Sequence, residues 1–295
     1  MNQRPDRDLH QAVTDKIVAA IEAGVSEARM PWQRAGLSTL LPKNAYTTHA
    51  YNGINILSLW AEAQVASYPV SLWATYRQWQ ELGAQVRKSA KAALVVFYKA
   101  YEVDPNPEDT NDDGQRRVAK ASWVFNVAQV DGYELPSIPE RPLIAKRLEA
   151  EAFLAHIGVP IVVGGDQAYY RLSTDTIHMP DERLFDGRTE HQRADDWYSV
   201  AFHEATHATG IEKRCHRELG KRFGDGAYCM EELVAELGSA MLMAHLGFSA
   251  QPRADHAQYI AHWLAVLKAD KKAIFTAAAR AQEAVAYLLA RQPSG

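Results

Sequence analysis

Apolar side chains recur every four residues at Leu9, Val13, Ile17, Ile21 and Val25, a spacing that keeps them on one helix face across residues 8–26. The pattern predicts a helix packed along that face. After Pro31-Trp32 the chain turns loop-like through Arg34, Lys43, Asn44, Tyr46 and Tyr51 before a helix from Gly53 to Val65. A short helix from Thr75 to Leu82 ends at Gly83. Residues 85–87 and 93–101 read as strands about the turn Lys88-Ser89-Ala90-Lys91, which predicts a basic hairpin. The polar, acidic segment Asp104–Gly114 reads as a mobile excursion leading to a strand from Val118 to Val130. Glycine and two prolines within Asp131–Arg141 mark a linker. Beyond it the pattern predicts a helix from Pro142 to His156, closed by Gly158, and a buried strand from Val159 to Val163. Two short strands or a hairpin follow within Tyr169–Met179, then a loop from Pro180 to Arg193. The remainder reads as helical, over 197–210, 229–246, 255–269 and 271–290. The expectation is an α+β chain of two domains, 1–132 and 141–295, the second a small sheet with mostly helices.

The helix expected at 197–210 carries His203-Glu204-Ala205-Thr206-His207, an H-E-x-x-H. Residues four apart on a helix share a face, so both imidazoles can reach one metal ion while Glu204 flanks it. Asp195 or Asp196 is placed to cap the first turn, and Gly210 to end the helix. A catalytic zinc needs a third protein ligand beside its water. An extended H-E-x-x-H-x-x-G-x-x-H pattern would close at residue 213, but that residue is Lys213, a cation when protonated. His216 comes a turn late for that register. Glu232, at the start of the next amphipathic helix, is the better candidate; Glu236, four residues on, is placed to accept a hydrogen bond from a ligand histidine. The order H-E-x-x-H, then E-x-x-A-E, resembles gluzincin-type metallopeptidases. Glu231, Glu232 and Glu236 read equally as a solvated acidic helix start when taken alone. Cys215 and Cys229 lack the paired spacing of a structural zinc site and read as ordinary buried thiols. With three ligands in place, zinc lowers the pKa of its water to about 7 and Glu204 serves as general base. Tyr198, Tyr228 and His178 are the candidate oxyanion donors.

Composition adds little to the fold: 295 residues, 47% apolar and 23% charged, suit globular cores. No apolar run is long enough to span a membrane. The polar start MNQRPDRDLHQ gives no secretory or transit signal, and two cysteines give no disulfide framework, so the expected compartment is the cytoplasm. Charge is unevenly placed. Residues 1–100 hold eleven Lys or Arg against seven Asp or Glu, and the rest 21 against 29, so an anionic partner is expected for the first part only. The same hundred residues hold ten aromatics, with Trp73, Tyr76 and Trp79 beside Arg77. Cations interleaved with rings suit single-stranded nucleic acid, whose phosphates need charge and whose bases need flat surfaces. The alternative is that most of these rings are core.

Taken together, the chain resembles the ArdC family of plasmid-borne antirestriction proteins along essentially its whole length. The first half carries the resemblance in the leading helix with Met30-Pro-Trp-Gln33, in Tyr51-Asn-Gly-Ile-Asn-Ile-Leu57, and in Trp73-Ala-Thr-Tyr-Arg-Gln78 through Gly83 to Lys88 and Lys91. The second half carries it in Asp175-Thr-Ile-His-Met-Pro180, the H-E-x-x-H and Glu231-Glu-Leu-Val-Ala-Glu236. Ser89-Ala90 departs from the pattern, since family members often have glycine in that turn. The resemblance implies a single-stranded-DNA-binding domain, also found on conjugative primases, joined to a zincin-like metallopeptidase domain, and protection of incoming plasmid DNA from type I restriction. On this reading His203, His207 and Glu232 hold Zn2+ or another divalent metal such as Mn2+. Arg34, Lys43, Tyr46, Trp73, Arg77, Arg87, Lys88 and Lys91 are the candidate DNA contacts. Two functions follow: a metallopeptidase cutting a protein substrate, for instance of the host restriction machinery, or a DNA-binding protective module whose metal site is structural or unneeded.

Overall fold

The four-residue apolar spacing does form a helix, α1 (Leu9–Gly24), with Val13, Ile17 and Ile21 buried. The computed structural model describes residues 8–24, 30, 32, 40–103, 115–135, 142–185, 189–219, 226–249 and 257–293; Val25, Arg34 and the Asp104–Gly114 excursion lie outside the described residues. α1 packs on α2 (Ile54–Val65) and also on α7 (Ala257–Ala269), near the far end of the chain. Two hydrogen bonds pin this contact between the halves. Thr14 Oγ1 donates to the Lys271 carbonyl at 2.7 Å, and Gln282 Oε1, on α8 (Ala273–Ala290), accepts from the Gly53 N–H at 3.1 Å. The division into 1–132 and 141–295 stays a proposal about sequence units; in space one apolar core runs from α1 and α2 into the C-terminal helices.

In the first half, β1 (Lys43–Asn44), β2 (Leu72–Thr75), β3 (Gln85–Val86), β4 (Ala93–Glu102) and β5 (Gln115–Asn126) follow in chain order, with α3 (Tyr76–Glu81) between β2 and β3. The main sheet runs β1-β2-β5-β4, parallel between β1 and β2 and antiparallel elsewhere. The basic hairpin expected around 88–91 does not form. β3 leaves the sheet to pair with β6 (Val130–Asp131), while β4 pairs with β5 from Ala93↔Val124 to Glu102↔Gln115. That long ladder buries Ala93, Val95 and Val124 together, which the two residues of β3 could not match. In the turn itself Ser89 has φ 66°, the left-handed conformation that glycine adopts freely and other L-residues adopt at a cost of about 1–2 kcal/mol. The strand expected to reach Val130 stops at Asn126, whose side chain caps a 3-10 turn over Val127–Gln129.

In the second half, α4 (Leu143–Ala155) precedes a small sheet of β7 (Ile161–Val163), β8 (Tyr169–Arg171) and β9 (Thr176–Met179), ordered β7-β9-β8. β7 was expected to be buried, yet Val162 and Val163 are 49% and 56% exposed. The cause is its place at the sheet edge; burial falls on Ile177 and Met179 of the central β9. Helices α5 (Glu190–Ala208) and α6 (Gly226–Leu246) then pack on one another. Gly238 allows the close approach, because a Cβ there would lie 2.6 Å from the Thr206 side chain. Among the described residues, no helix is long and apolar enough to cross a membrane.

α5 starts earlier than the sequence suggests, at a capping box between Thr189 and Gln192 rather than at Asp195 or Asp196. Asp195 is therefore inside the helix, where burial pushes its carboxyl up to about 6 against the opposing Ser249 N–H. Because the folded chain holds that proton more tightly than the unfolded chain, stability from this group falls as pH rises from about 4 through 6. Asp195→Asn is expected to gain roughly 1–2 kcal/mol at pH 7 and nothing at pH 4, after allowance for its partial exposure. Denaturant melts across that range check this, and parallel curves for the two proteins would contradict it.

Candidate metal centre

α5 presents His203, Glu204 and His207 to α6, which presents Glu231, Glu232 and Glu236 in return. The Nε2 atoms of the two histidines converge to 3.1 Å. Glu232 Oε2 lies 3.5 Å from His203 Nε2, and Glu232 Oε1 lies 3.4 Å from His207 Nε2. Spacings of that size are the edges of a tetrahedron whose corners stand about 2.0–2.2 Å from its centre, the bond lengths zinc takes with imidazole and carboxylate. The three residues could hold one ion. The donor set fits.

The outward Nδ1 atoms face carboxylates, which orients the rings so that the Nε2 atoms point inward. His207 Nδ1 is 3.2 Å from Glu231 Oε1, and His203 Nδ1 is 3.9 Å from Glu236 Oε2. The sequence pointed to Glu236 for this part; Glu231 makes the shorter contact, and only the Glu-Glu doublet hinted at it. Arg217 holds Glu231 in a two-pronged pair, Nε donating to Oε2 at 2.9 Å and Nη2 to Oε1 at 2.8 Å. It also donates to Thr209 Oγ1 and the Thr206 carbonyl, and no motif marks it. Glu236 Oε1 accepts the indole N–H of buried Trp32 at 3.2 Å. A residue of the first half thus touches the carboxylate that faces His203 of the second.

The cluster is electrostatically unbalanced. Burial alone would push the His207 imidazole down, but Glu231 and Glu232 outweigh it and hold it up at about 10. Burial pushes Glu232 the other way, and His203 and His207 bring its carboxyl far below the usual range. Glu204 Oε2 accepts the Tyr170 N–H at 2.8 Å, so the edge strand β8 fixes one carboxylate oxygen. A cleft of about 400 Å³ opens over His203, Glu204, His207 and Glu232 and is walled by Tyr170, Tyr228 and Tyr259.

The other candidates fall away from this cleft. Lys213 pairs with Asp175 at 2.8 Å, and His216 is exposed beyond the end of α5. Cys215 and Cys229 are buried and form no disulfide. The Tyr198 hydroxyl donates to Glu151 at 2.6 Å, His178 stacks on Tyr169 with ring centres 4.7 Å apart, and neither lines the cleft. Tyr228 does line the cleft. Burial, helped by the Tyr259 hydroxyl, pushes its phenol far above the ordinary value, so it stays an O–H donor at neutral pH.

The DNA candidates are likewise redistributed. Trp73 is fully buried in a small cluster with Tyr51, Leu59 and Val95, and Trp79 is fully buried with its N–H on the Phe125 carbonyl. Neither ring has a face to offer a base, which corrects the reading of Trp73. Arg87 is a strut and not a loose cation: it donates to Asp131 Oδ1 at 2.7 Å and to the Ala128 and Val130 carbonyls. Lys43, Tyr46, Arg77, Lys88 and Lys91 are exposed. Lys88 borders a groove of about 570 Å³ with Tyr76 and Phe125.

One divalent ion per chain is expected, with His203→Ala or His207→Ala abolishing binding. A protonated His207 must give up its proton to ligate, so at pH 7 about one proton should leave per ion bound, with a further fraction from the metal-bound water. Calorimetry in buffers of differing ionisation enthalpy reads that number, and zero would contradict the charge balance described. Trp32→Phe removes the N–H and keeps a smaller aromatic ring in its place; with folding confirmed by thermal melt, a 10-fold or greater loss of metal affinity is expected, as for other groups behind metal ligands. Unchanged affinity would mean that the Trp32 contact with Glu236 is packing alone.

Comparison with known proteins matches this geometry. The profile of the N-terminal domain of anti-restriction factor ArdC matches residues 7–125, and that of a zincin-like metallopeptidase matches residues 148–280. The uncharacterized protein y4eC of Sinorhizobium fredii is 46% identical over 97% of this chain and 92% of its own length. A DNA primase TraC of Escherichia coli is 32% identical over 98% of this chain, which spans only 20% of that primase. Among solved structures, the Mn(II)-bound antirestriction protein ArdC of plasmid R388 aligns with a TM-score of 0.76 and 37% identity over 97% of this chain and 99% of that one. Its metal-free form aligns at 0.75 over 97% and 98%. The chain therefore belongs to the ArdC family of antirestriction proteins, with a zincin-like domain in its second half.

Proposed function

We propose that the protein binds single-stranded DNA through its first half, hydrolyses peptide bonds at the centre in its second, and protects DNA entering by conjugation from type I restriction in the recipient cytoplasm. One observation carries the peptidase reading: three donors at tetrahedral spacing face an open cleft beside a carboxylate. A structural zinc site is closed by four protein ligands, whereas a catalytic one keeps a position open. The Mn(II) bound by the R388 relative supports a divalent ion here, for which Zn2+ is our first assignment and Mn2+ the second. A zinc ion in such a site supplies a water acidified to about pKa 7 and a Lewis acid for a carbonyl oxygen.

The chain's own groups do the rest. With Glu204 Oε2 tied to the Tyr170 N–H, Oε1 is the oxygen that takes a proton from water and returns it to the leaving amine. The Tyr228 hydroxyl, which also lines the cleft, donates to the developing oxyanion. The DNA reading draws on the cationic first hundred residues, on the exposed Lys43, Tyr46, Arg77, Lys88 and Lys91, and on the kinship with DNA primases. Coating of single strands delays formation of the duplex that restriction enzymes recognise, so DNA binding is the protective act in this proposal.

Glu204→Gln separates the two activities. It preserves side-chain volume and metal binding but removes the general base, so peptidase turnover should fall by about 10² or more. Affinity for single strands should be unchanged, and an entering plasmid should remain protected in recipient cells carrying a type I system. Loss of protection with DNA binding and folding intact would make proteolysis the protective act instead.

A further inference from the structure

Past Val96, one face of the β4–β5 pair loses its cover, while on the other Tyr98 still hydrogen-bonds His10 of α1 at 3.1 Å and Ala119 packs on the main core. Up to that point the β4 side chains are covered on both faces, Ala93 and Val95 in one core cluster and Leu94 and Val96 in another, although Trp123 of β5, across from Leu94, is 47% exposed. The outer edge of β4 is closed there by α2, through the Asn55 side chain on the Val96 N–H and carbonyl and the Ser58 hydroxyl on the Leu94 carbonyl. Beyond it the ladder continues as a two-stranded ribbon through Phe97↔Lys120 and Lys99↔Val118 to Tyr101.

Strand alternation sorts the side chains of this ribbon. Phe97, Lys99 and Tyr101 share one face with their cross-strand neighbours Lys120 and Val118. Phe97 is 50% exposed and Tyr101 47%, and both lysines are exposed. Large rings left half in water on an uncovered strand face mark an interaction surface. The order along the face is ring, cation, ring, with a second cation across from the first ring, and no carboxylate falls on it among the described side chains. Phe97 and Tyr101 stand about 14 Å apart at the strand rise of roughly 3.4 Å per residue, with Lys99 between them. A protein partner would seek apolar contact without the lysines, and duplex DNA would have no use for the rings. Exposed bases with intervening phosphates use both.

We infer that this face of the β4–β5 ribbon, built on Phe97, Lys99, Tyr101 and Lys120, is a base-stacking platform for single-stranded DNA. The inference rests on the proposal that the first half binds single strands, and it moves the stacking contacts from the buried Trp73 to rings that sequence patterning did not single out.

The test measures binding of a labelled oligothymidylate to the full chain across a salt series. Phe97→Ala and Tyr101→Ala are each expected to weaken binding about tenfold or more with little change in salt slope, since stacking carries no counterion. Lys99→Ala with Lys120→Ala should lower the slope by about 1.4, or roughly 0.7 per phosphate contact on a single strand. Trp123→Ala, on the opposite face, should change neither. These side chains are exposed, so folding should survive, and thermal melts of each variant confirm it. If the wild-type chain binds and the ribbon variants match it, the platform is refuted while the DNA reading stands. If the wild-type chain does not bind, the DNA reading itself fails. If the ring variants instead dissolve a dimer seen by light scattering with DNA affinity unchanged, the face is an interface between copies and the inference is overturned.

Discussion

Four carboxylates, two imidazoles and one guanidinium are packed between α5, α6 and the segment that joins them, and the contacts around them serve to balance that largely buried charge. Glu204, Glu231 and Glu236 are buried and Glu232 nearly so, against Arg217 as the buried permanent cation beside them. Such a group is costly to desolvate unless opposite charge is supplied. Arg217 settles Glu231, and Trp32 and His203 face Glu236. Glu232 and the two Nε2 atoms remain converged on one point. The surplus negative charge is what raises His207, and it is the same charge that a divalent ion would neutralise.

This arrangement explains why the helices must sit so close. Gly238 lets α6 approach Thr206, one residue before His207, which brings the Glu232 oxygens within 3.5 Å of both rings. It also gives the first half a part in the centre, because Trp32 reaches the carboxylate behind His203 and α1 packs on α7. The two lobes share one apolar core and, behind the candidate metal site, the Trp32–Glu236 contact.

Much of this was legible in the sequence where a local rule decides the outcome. The four-residue repeat placed α1, and helix periodicity put His203 and His207 on one face, while Glu232 reaches them from a second helix through the packing of α5 on α6. What was not legible depends on long-range pairing. β3 pairs with β6 instead of β4, and Trp73 is core because Tyr51 and the α2 residues Leu59 and Ala63 pack on its face of the sheet, facts that no window of neighbouring residues contains. Arg217 and Trp32 carry no motif; each acts through a contact made by folding. Phe97 and Tyr101 read as ordinary strand residues, since alternation alone does not reveal that their face of the ribbon outruns the core that covers its base.

The most direct test of the account is a crystal structure of the zinc-loaded protein with anomalous scattering recorded above and below the zinc edge. The expected result is a single peak at about 2.0–2.2 Å from His203 Nε2, His207 Nε2 and one oxygen of Glu232, with Glu231 and Glu236 on the far sides of the rings. A peak ligated by Glu231 or Glu236 in place of Glu232, or one lying away from the facing surfaces of α5 and α6, would contradict it.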